Sequence, residues 1–142
     1  MKISVIIPVY NEIAVIKNCL ESLKKQTVPL EVIIVDDGST DGSEKFATYR
    51  QSHQGPGAAR NLGASKATGD ILVFVDADME FEPDFVEKLV KPIIDGKTIG
   101  TFSKDEYLLN KENIWARCWN LNLGRQAEKM HPENYPDTQA VF

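Results

Sequence analysis

Ile3-Ser4-Val5-Ile6-Ile7-Pro8-Val9-Tyr10-Asn11-Glu12 is a short β-branched run that gives way to an aromatic, an amide and an acid. So short a run of Ile and Val reads as a strand buried on both faces over Ile3 to Ile7, with Pro8 ending it. The pattern recurs twice. Leu30 to Val35 runs into Asp36-Asp37-Gly38-Ser39, and Ile71 to Val75 runs into Asp76-Ala77-Asp78. Helical patterns lie between. From Asn11, a plausible cap, Ile13, Ile16, Leu20 and Leu23 share one face of a helix reaching about Gln26. Ala58 to Ala67 is a small-residue helix closed by Thr68-Gly69-Asp70, and Pro83 opens a helix through Phe85, Leu89 and Val90. Strands alternating with helices predict an α/β domain, a mostly parallel sheet with helices on both faces.

Working outward, Asp36 to Ser43 is rich in turn residues, and a short helical stretch follows from Glu44 to about Arg50. Gln51 to Gly57 is a polar, glycine-containing loop. Beyond Lys91 the pattern weakens. Ile99 to Ser103 is a candidate strand, and Asn113 to about Met130 a candidate helix carrying Ile114, Trp115, Trp119 and Leu123. The two tryptophans read as packing residues. His131 to Thr138 reads as a loop, and Gln139 to Phe142 as the start of a strand.

The 142 residues suit one domain, with no internal repeat and no linker. Sixteen basic against twenty-one acidic residues give a net charge of −5, which argues against a broad surface for nucleic acid. An acidic chain that handles a polyanion needs a cation as intermediary. Cys19 and Cys118 have neither zinc-site spacing nor a disulfide framework, as in a reducing compartment. No export signal and no apolar run of about 20 residues is present. The expected location is cytoplasmic, free or at the inner face of the membrane.

In an open parallel sheet, ligands bind beyond the carboxyl ends of the strands. All three strands end there in suggestive residues. Asp76 and Asp78, two apart, point the same way and can face one hard cation such as magnesium or manganese, completed by a diphosphate. The same spacing serves an acidic turn equally well. Asp37 can accept a hydrogen bond from a base or ribose, and Tyr10 offers a flat packing surface; each also reads as an ordinary turn or rim residue. Gly55-Pro56-Gly57-Ala58-Ala59-Arg60-Asn61 opens a helix whose small residues and free N–H groups suit an anion. Arg60 is within reach of a phosphate or sugar, or is an exposed or ion-paired helix arginine. The dinucleotide fingerprint, the P-loop and the nucleophile elbow are all absent. His53 and His131 read as surface residues.

Together these segments resemble the inverting glycosyltransferases of family 2, which have the GT-A fold, a Rossmann-like, mostly parallel sheet flanked by helices. The resemblance rests on Val5 to Glu12, Val35 to Ser43, Gly57-Ala58-Ala59-Arg60-Asn61-Leu62-Gly63, Ala67 to Asp70 and Phe74-Val75-Asp76-Ala77-Asp78. It covers about residues 2 to 90. It implies that Asp37 contacts the base, that Pro8 and Tyr10 line the nucleoside pocket, and that Glu12 and Gly57 belong to the nucleotide-sugar site. Asp76 would meet the ribose or sugar, Arg60 would lie near the diphosphate or sugar, and Asp78 would bind Mn2+ or Mg2+. The implied reaction transfers a sugar from a UDP- or GDP-sugar to a saccharide, lipid or other acceptor, with inversion. Such transfer to an acceptor hydroxyl usually needs a carboxylate base. Two alternatives stand beside it: a polyprenyl-phosphate sugar transferase, suited by Asp76 to Met79 with Glu82-Pro83, and a module that holds a nucleotide sugar without turnover. The chain is short between Asp41 and the glycine loop, which predicts a vestigial third small strand. Residues 1–90 would be the nucleotide-sugar-binding half of a single domain and 91–142 an incomplete start of the acceptor half. The base would lie beyond Phe142, because Asp105, Glu106, Glu133 and Asp137 sit in no matching motif.

Overall fold

Four parallel strands carry the fold in a computed structural model that describes residues 1–103: β1 (Ile3–Val9), β2 (Leu30–Asp36), β3 (Tyr49–Arg50) and β4 (Ile71–Phe74). Their spatial order is β3-β2-β1-β4, with β1 and β2 at the centre. Three helices accompany them, α1 (Ile16–Lys24), α2 (Pro56–Lys66) and α3 (Phe85–Ile94). The expected helix over 113–130, the loop and strand after it, and Cys118, Trp115, Trp119, His131 and the four late carboxylates lie outside the described residues. The chain divides into two compact units at Lys88/Leu89, and the first holds the whole sheet. No helix among the described residues is long and apolar enough to cross a membrane.

Helices cover both faces of the sheet. Ile6, Ile33 and Val35 turn to α2 and pack on Ala59, with Leu62, Ala64 and Ala67 around them. On the other face, α1 buries Ile16, Cys19 and Leu23. Leu20 and Leu23 of this helix face Val32 and Ile34 of β2 across an open groove of about 480 Å³ that Val28 and Pro29 also line. The expected helix over 44–50 is only a 3-10 turn, Ser43–Phe46, and the third strand shrinks to two residues. The turn up to Gly42, with its φ of 102°, and the extended Ala47 leave room for only that one turn between them.

Pro8 does not end β1, contrary to expectation. The strand runs on to Val9, paired with β2 through Pro8↔Val35 and Val9↔Asp36. Pro8 ends the other ladder instead. The Ile6 carbonyl accepts the Val75 N–H on the β4 side, while the Val9 carbonyl accepts the Asp37 N–H on the β2 side. By this alternation, the Pro8 nitrogen faces β4, where it has no hydrogen to give. Pairing with β4 therefore stops at Ile6↔Phe74, and the chain after Val75 leaves the sheet.

Asn11 is not a helix cap. Its φ of 56° puts it in the left-handed region, which Asn tolerates, and α1 begins only at Ile16. The far end of α1 is tied to the start of α3 by Gln26. Its Oε1 accepts the Val86 N–H and its Nε2 donates to the Glu82 carbonyl, while the Thr27 N–H donates to the Pro83 carbonyl. Gln26 thus satisfies a first-turn amide that α3 itself leaves unpaired. Residues 99–103 form no strand: Ile99 is exposed, and no neighbouring strand among the described residues pairs with them.

Two contacts fix the sheet to its surroundings. A methyl group on Gly63 would stand 2.5 Å from Ile6 Cγ2 and 3.2 Å from Val35 Cγ2, so α2 approaches the sheet as closely as a bare glycine permits. At the amino-terminal edge, Glu31 accepts hydrogen bonds from Ser4 Oγ, the Thr68 N–H and hydroxyl, and Lys2 Nζ. These donors, Ser4 foremost, hold its carboxyl down at about 2.

Gly63→Ala should destabilise the fold by about 1–2 kcal/mol, because overpacking outweighs the roughly 1 kcal/mol that Ala gains over Gly within a helix. Urea unfolding checks the sign, and an unchanged or raised midpoint would contradict the close approach. Glu31 carries a folded pKa below its ordinary 4.5, so its contribution is complete above that value and fades as the pH falls toward about 2. The stability gap between the native chain and Glu31→Gln should therefore narrow across that window when unfolding midpoints are compared.

Candidate functional site

Parallel strands bring every carboxyl end to one edge of the sheet, and the loops there are laced together by short polar side chains. The Asn11 N–H donates to Ser39 Oγ at 2.9 Å, and the Glu12 N–H to Ser43 Oγ at 2.8 Å. Asp41 Oδ2 accepts the Ile13 N–H, and Asn11 Oδ1 accepts the Thr40 N–H. The run Ser39-Thr40-Asp41-Gly42-Ser43 is thus a partner for the exposed amides after β1. It holds Tyr10 and Glu12 in place.

Asp36 and Asp37 are both buried. Asp36 faces the protein. It accepts the Gly38 and Ser39 N–H groups and pairs with Arg50 Nε at 3.0 Å. Asp37 organises the polar loop that follows β3. Its Oδ1 accepts Gln51 Nε2 at 2.7 Å and the Gln54 N–H at 2.9 Å. Its Oδ2 accepts the Gly55 N–H at 2.8 Å and meets His53 Nδ1 at 2.9 Å. Burial pushes this carboxyl up, but the Gln51 side chain, the two amides and His53 together hold it below its ordinary value. The loop closes tightly over Gly38, where a side chain would stand 3.0 Å from the His53 backbone nitrogen and φ is +84°.

His53 is more than a surface residue. Its ring stacks on Tyr10 with centroids 4.1 Å apart and planes 28° from parallel. Pro8 is buried, so it contributes the break in the ladder more than an exposed ring. At the start of α2 the space in front of Gly57 is open, and a side chain there would touch nothing within 4 Å. By helix geometry its first N–H groups have no acceptor within the helix.

Beyond β4 the chain turns, with the Met79 N–H donating to the Asp76 carbonyl, and Asp76 and Asp78 are exposed on either side of buried Ala77. Both carboxylates therefore share the solvent side. Asp76 Oδ1 pairs with Arg60 Nη2 at 2.5 Å, which ties α2 to this segment. Glu12 lies in the same negative field. Burial, then Asp78, Asp41 and Asp76, raise its carboxyl above the ordinary 4.5. Among the described residues no three His, Cys, Asp or Glu side chains form a ready-made metal cage. One or two carboxylates in a negative field that Arg60 offsets only at Asp76 match a hard cation that takes its remaining ligands from water and phosphate.

The structure thus gathers Tyr10, Glu12, Asp37, Gly57, Arg60, Asp76 and Asp78 along one edge. It adds Gln51 and Arg50, to which the sequence gave no role, Asp36, which the sequence offered only as part of an acidic turn, and His53, which read as a surface residue. For Gln51 and His53 the only signal was the polar loop's position between β3 and the glycine turn.

The family Glycosyl transferase family 2 matches residues 4–138. EpsH of Bacillus subtilis (strain 168), which carries a glycosyltransferase name, is 39% identical over 101 residues, 63% of this chain and 29% of that protein. The S. aureus TarS 1-349 crystal structure in complex with UDP superposes at a TM-score of 0.58 with 33% identity, covering 67% of this chain and 32% of the other. Mannosyltransferase PcManGT from Pyrobaculum calidifontis, in complex with GDP-Man and Mn2+, gives 0.65 with 25% identity, covering 80% and 37%. The chain spans about a third of the length of these relatives, and the shared sheet is that of the GT-A fold.

Asp37→Asn should cost about 1–3 kcal/mol, because an amide offers one acceptor oxygen and turns donor hydrogens on the Gln54 or Gly55 N–H. Denaturant unfolding measures it; a change within 0.5 kcal/mol, the ordinary surface range, would show that the loop does not depend on the carboxylate.

Proposed function

The chain belongs to glycosyl transferase family 2, and on that premise we propose that its first unit seats the donor for an inverting transfer of sugar from a nucleotide-diphosphate sugar. One observation carries the reading. Tyr10, Asp37, Arg60 and the Asp76–Asp78 pair come from four separate segments that follow the carboxyl ends of β1, β2 and β4 or open α2, the edge where parallel sheets bind ligands. The UDP held by TarS and the GDP-Man and Mn2+ held by PcManGT support the same ligand class here.

Each residue then has a task. Tyr10 gives the base a flat face, and Asp37 accepts a hydrogen bond from it. The open amino end of α2 at Gly57 favours the diphosphate. Arg60 adds a fixed positive charge while orienting Asp76 toward the ribose or sugar. Asp78 holds Mn2+ or Mg2+, with Glu12 deepening the negative field around it. The bound cation supplies charge neutralisation of the nucleoside diphosphate as it leaves. Inversion requires the acceptor to enter opposite that leaving group. No base is assigned among residues 1–103. The acceptor, a saccharide or a lipid phosphate, is distinguished by a screen offering both.

Titration of UDP and GDP in competition, with and without manganese, tests the reading. Asp78→Ala should keep its circular dichroism and bind nucleotide with manganese no more tightly than the native chain does in chelator. Undiminished manganese-dependent affinity in that variant would remove the metal from Asp78.

A further inference from the structure

The two groups proposed to receive the base are already engaged. A carboxylate offers about four acceptor positions; Asp37 gives three to Gln51 Nε2 and the Gln54 and Gly55 N–H groups, and His53 Nδ1 stands 2.9 Å from Oδ2 over the rest. One face of Tyr10 is covered by the same imidazole. A base that binds Asp37 must therefore displace one of these donors. Gln54 and Gly55 donate through the backbone at the start of α2. Gln51 is anchored beside β3, where its N–H donates to the Asp36 carbonyl at 2.9 Å. His53 is the exception: its side chain is 58% exposed, and its ring is held by the Tyr10 stack and by Nδ1, which lies 2.9 Å from Asp37 Oδ2 and 3.2 Å from the Asp37 backbone carbonyl. Its departure would free a lone pair of Asp37 and a face of Tyr10 together.

The imidazole has the features of a nucleobase in this seat. It is flat and heteroaromatic, it lies on the tyrosine, and it points a ring nitrogen at the carboxylate. We propose that His53 is an internal placeholder for the donor's nucleobase, exchanged for the base on binding and so setting how tightly the nucleotide is held. The proposal rests on the donor-binding reading of the site. No covalent step is involved; one stacked, hydrogen-bonded ring replaces another.

Imidazole resonances of the full chain report the exchange directly, since the sequence holds only two histidines and His53→Ala identifies which signal is which. In the free protein the His53 signals should carry the ring-current displacement of a ring stacked on Tyr10. Saturation with UDP or GDP in magnesium should abolish that displacement. His53→Ala should bind the same nucleotide about threefold to tenfold more tightly, the scale of one competing contact. Signals that keep their displacement at saturation would overturn the placeholder, and so would weaker binding by the variant, which would make His53 a wall of the base pocket. The resonance experiment needs only the native chain, so it decides even if the variant fails to fold. Nucleotide binding with an unmoved His53 defeats this proposal alone; failure of both nucleotides to bind defeats the donor-binding reading and the placeholder with it.

Discussion

Two consecutive carboxylates, Asp36 and Asp37, are taken out of water at the end of β2, and the surrounding loops are arranged to satisfy them. A buried charge is tolerated only when it is paired and hydrogen-bonded. Asp36 draws in the turn amides and Arg50, which fixes the two-residue β3. Asp37 draws in Gln51, Gln54 and Gly55, which fixes where α2 starts and hence where Gly57 and Arg60 stand. A demand for donors at one point thus sets the positions of groups contributed by three segments. Much of the edge follows from that demand.

The opposite end of the sheet shows the same logic at lower cost. Glu31 gathers Ser4, Thr68 and Lys2 in a half-exposed setting and joins the starts of β1 and β2 to the turn before β4. Gly69 permits this turn, since a methyl group there would stand 2.5 Å from Ser4 Oγ. Between the two polar ends, the strand interiors are almost wholly Ile and Val. The chain keeps its polar chemistry at the rims, where donors are within reach.

Much of the fold was legible because buried parallel strands announce themselves as β-branched runs. The three predicted strands appear within two residues of their expected bounds, and the shortened connector does leave a vestigial β3. What failed were local rules overridden by tertiary partners. Asn11 looked like a helix cap but serves the neighbouring loop. Pro8 looked like a strand end but interrupts one of two ladders, a distinction that requires knowing which side each partner lies on. The stretch at 99–103 has no strand beside it among the described residues, and a strand cannot be read without its neighbour. The acidic tips were visible as residues. Their occupants were not: nothing in the spacing tells that His53 reaches back across sixteen positions to Asp37 and lies on Tyr10.

The interrupted ladder at Pro8 has a wider consequence. Because the parting of β1 and β4 is written into an imino acid, the place where the two strands separate is set by covalent structure. The residues after Val75 carry no obligation to the sheet's hydrogen bonding. They answer instead to partners off the sheet, the Asp76 carboxylate to Arg60 and its carbonyl to Cys19, so that lip takes its shape from side chains while the scaffold beneath it stays the same.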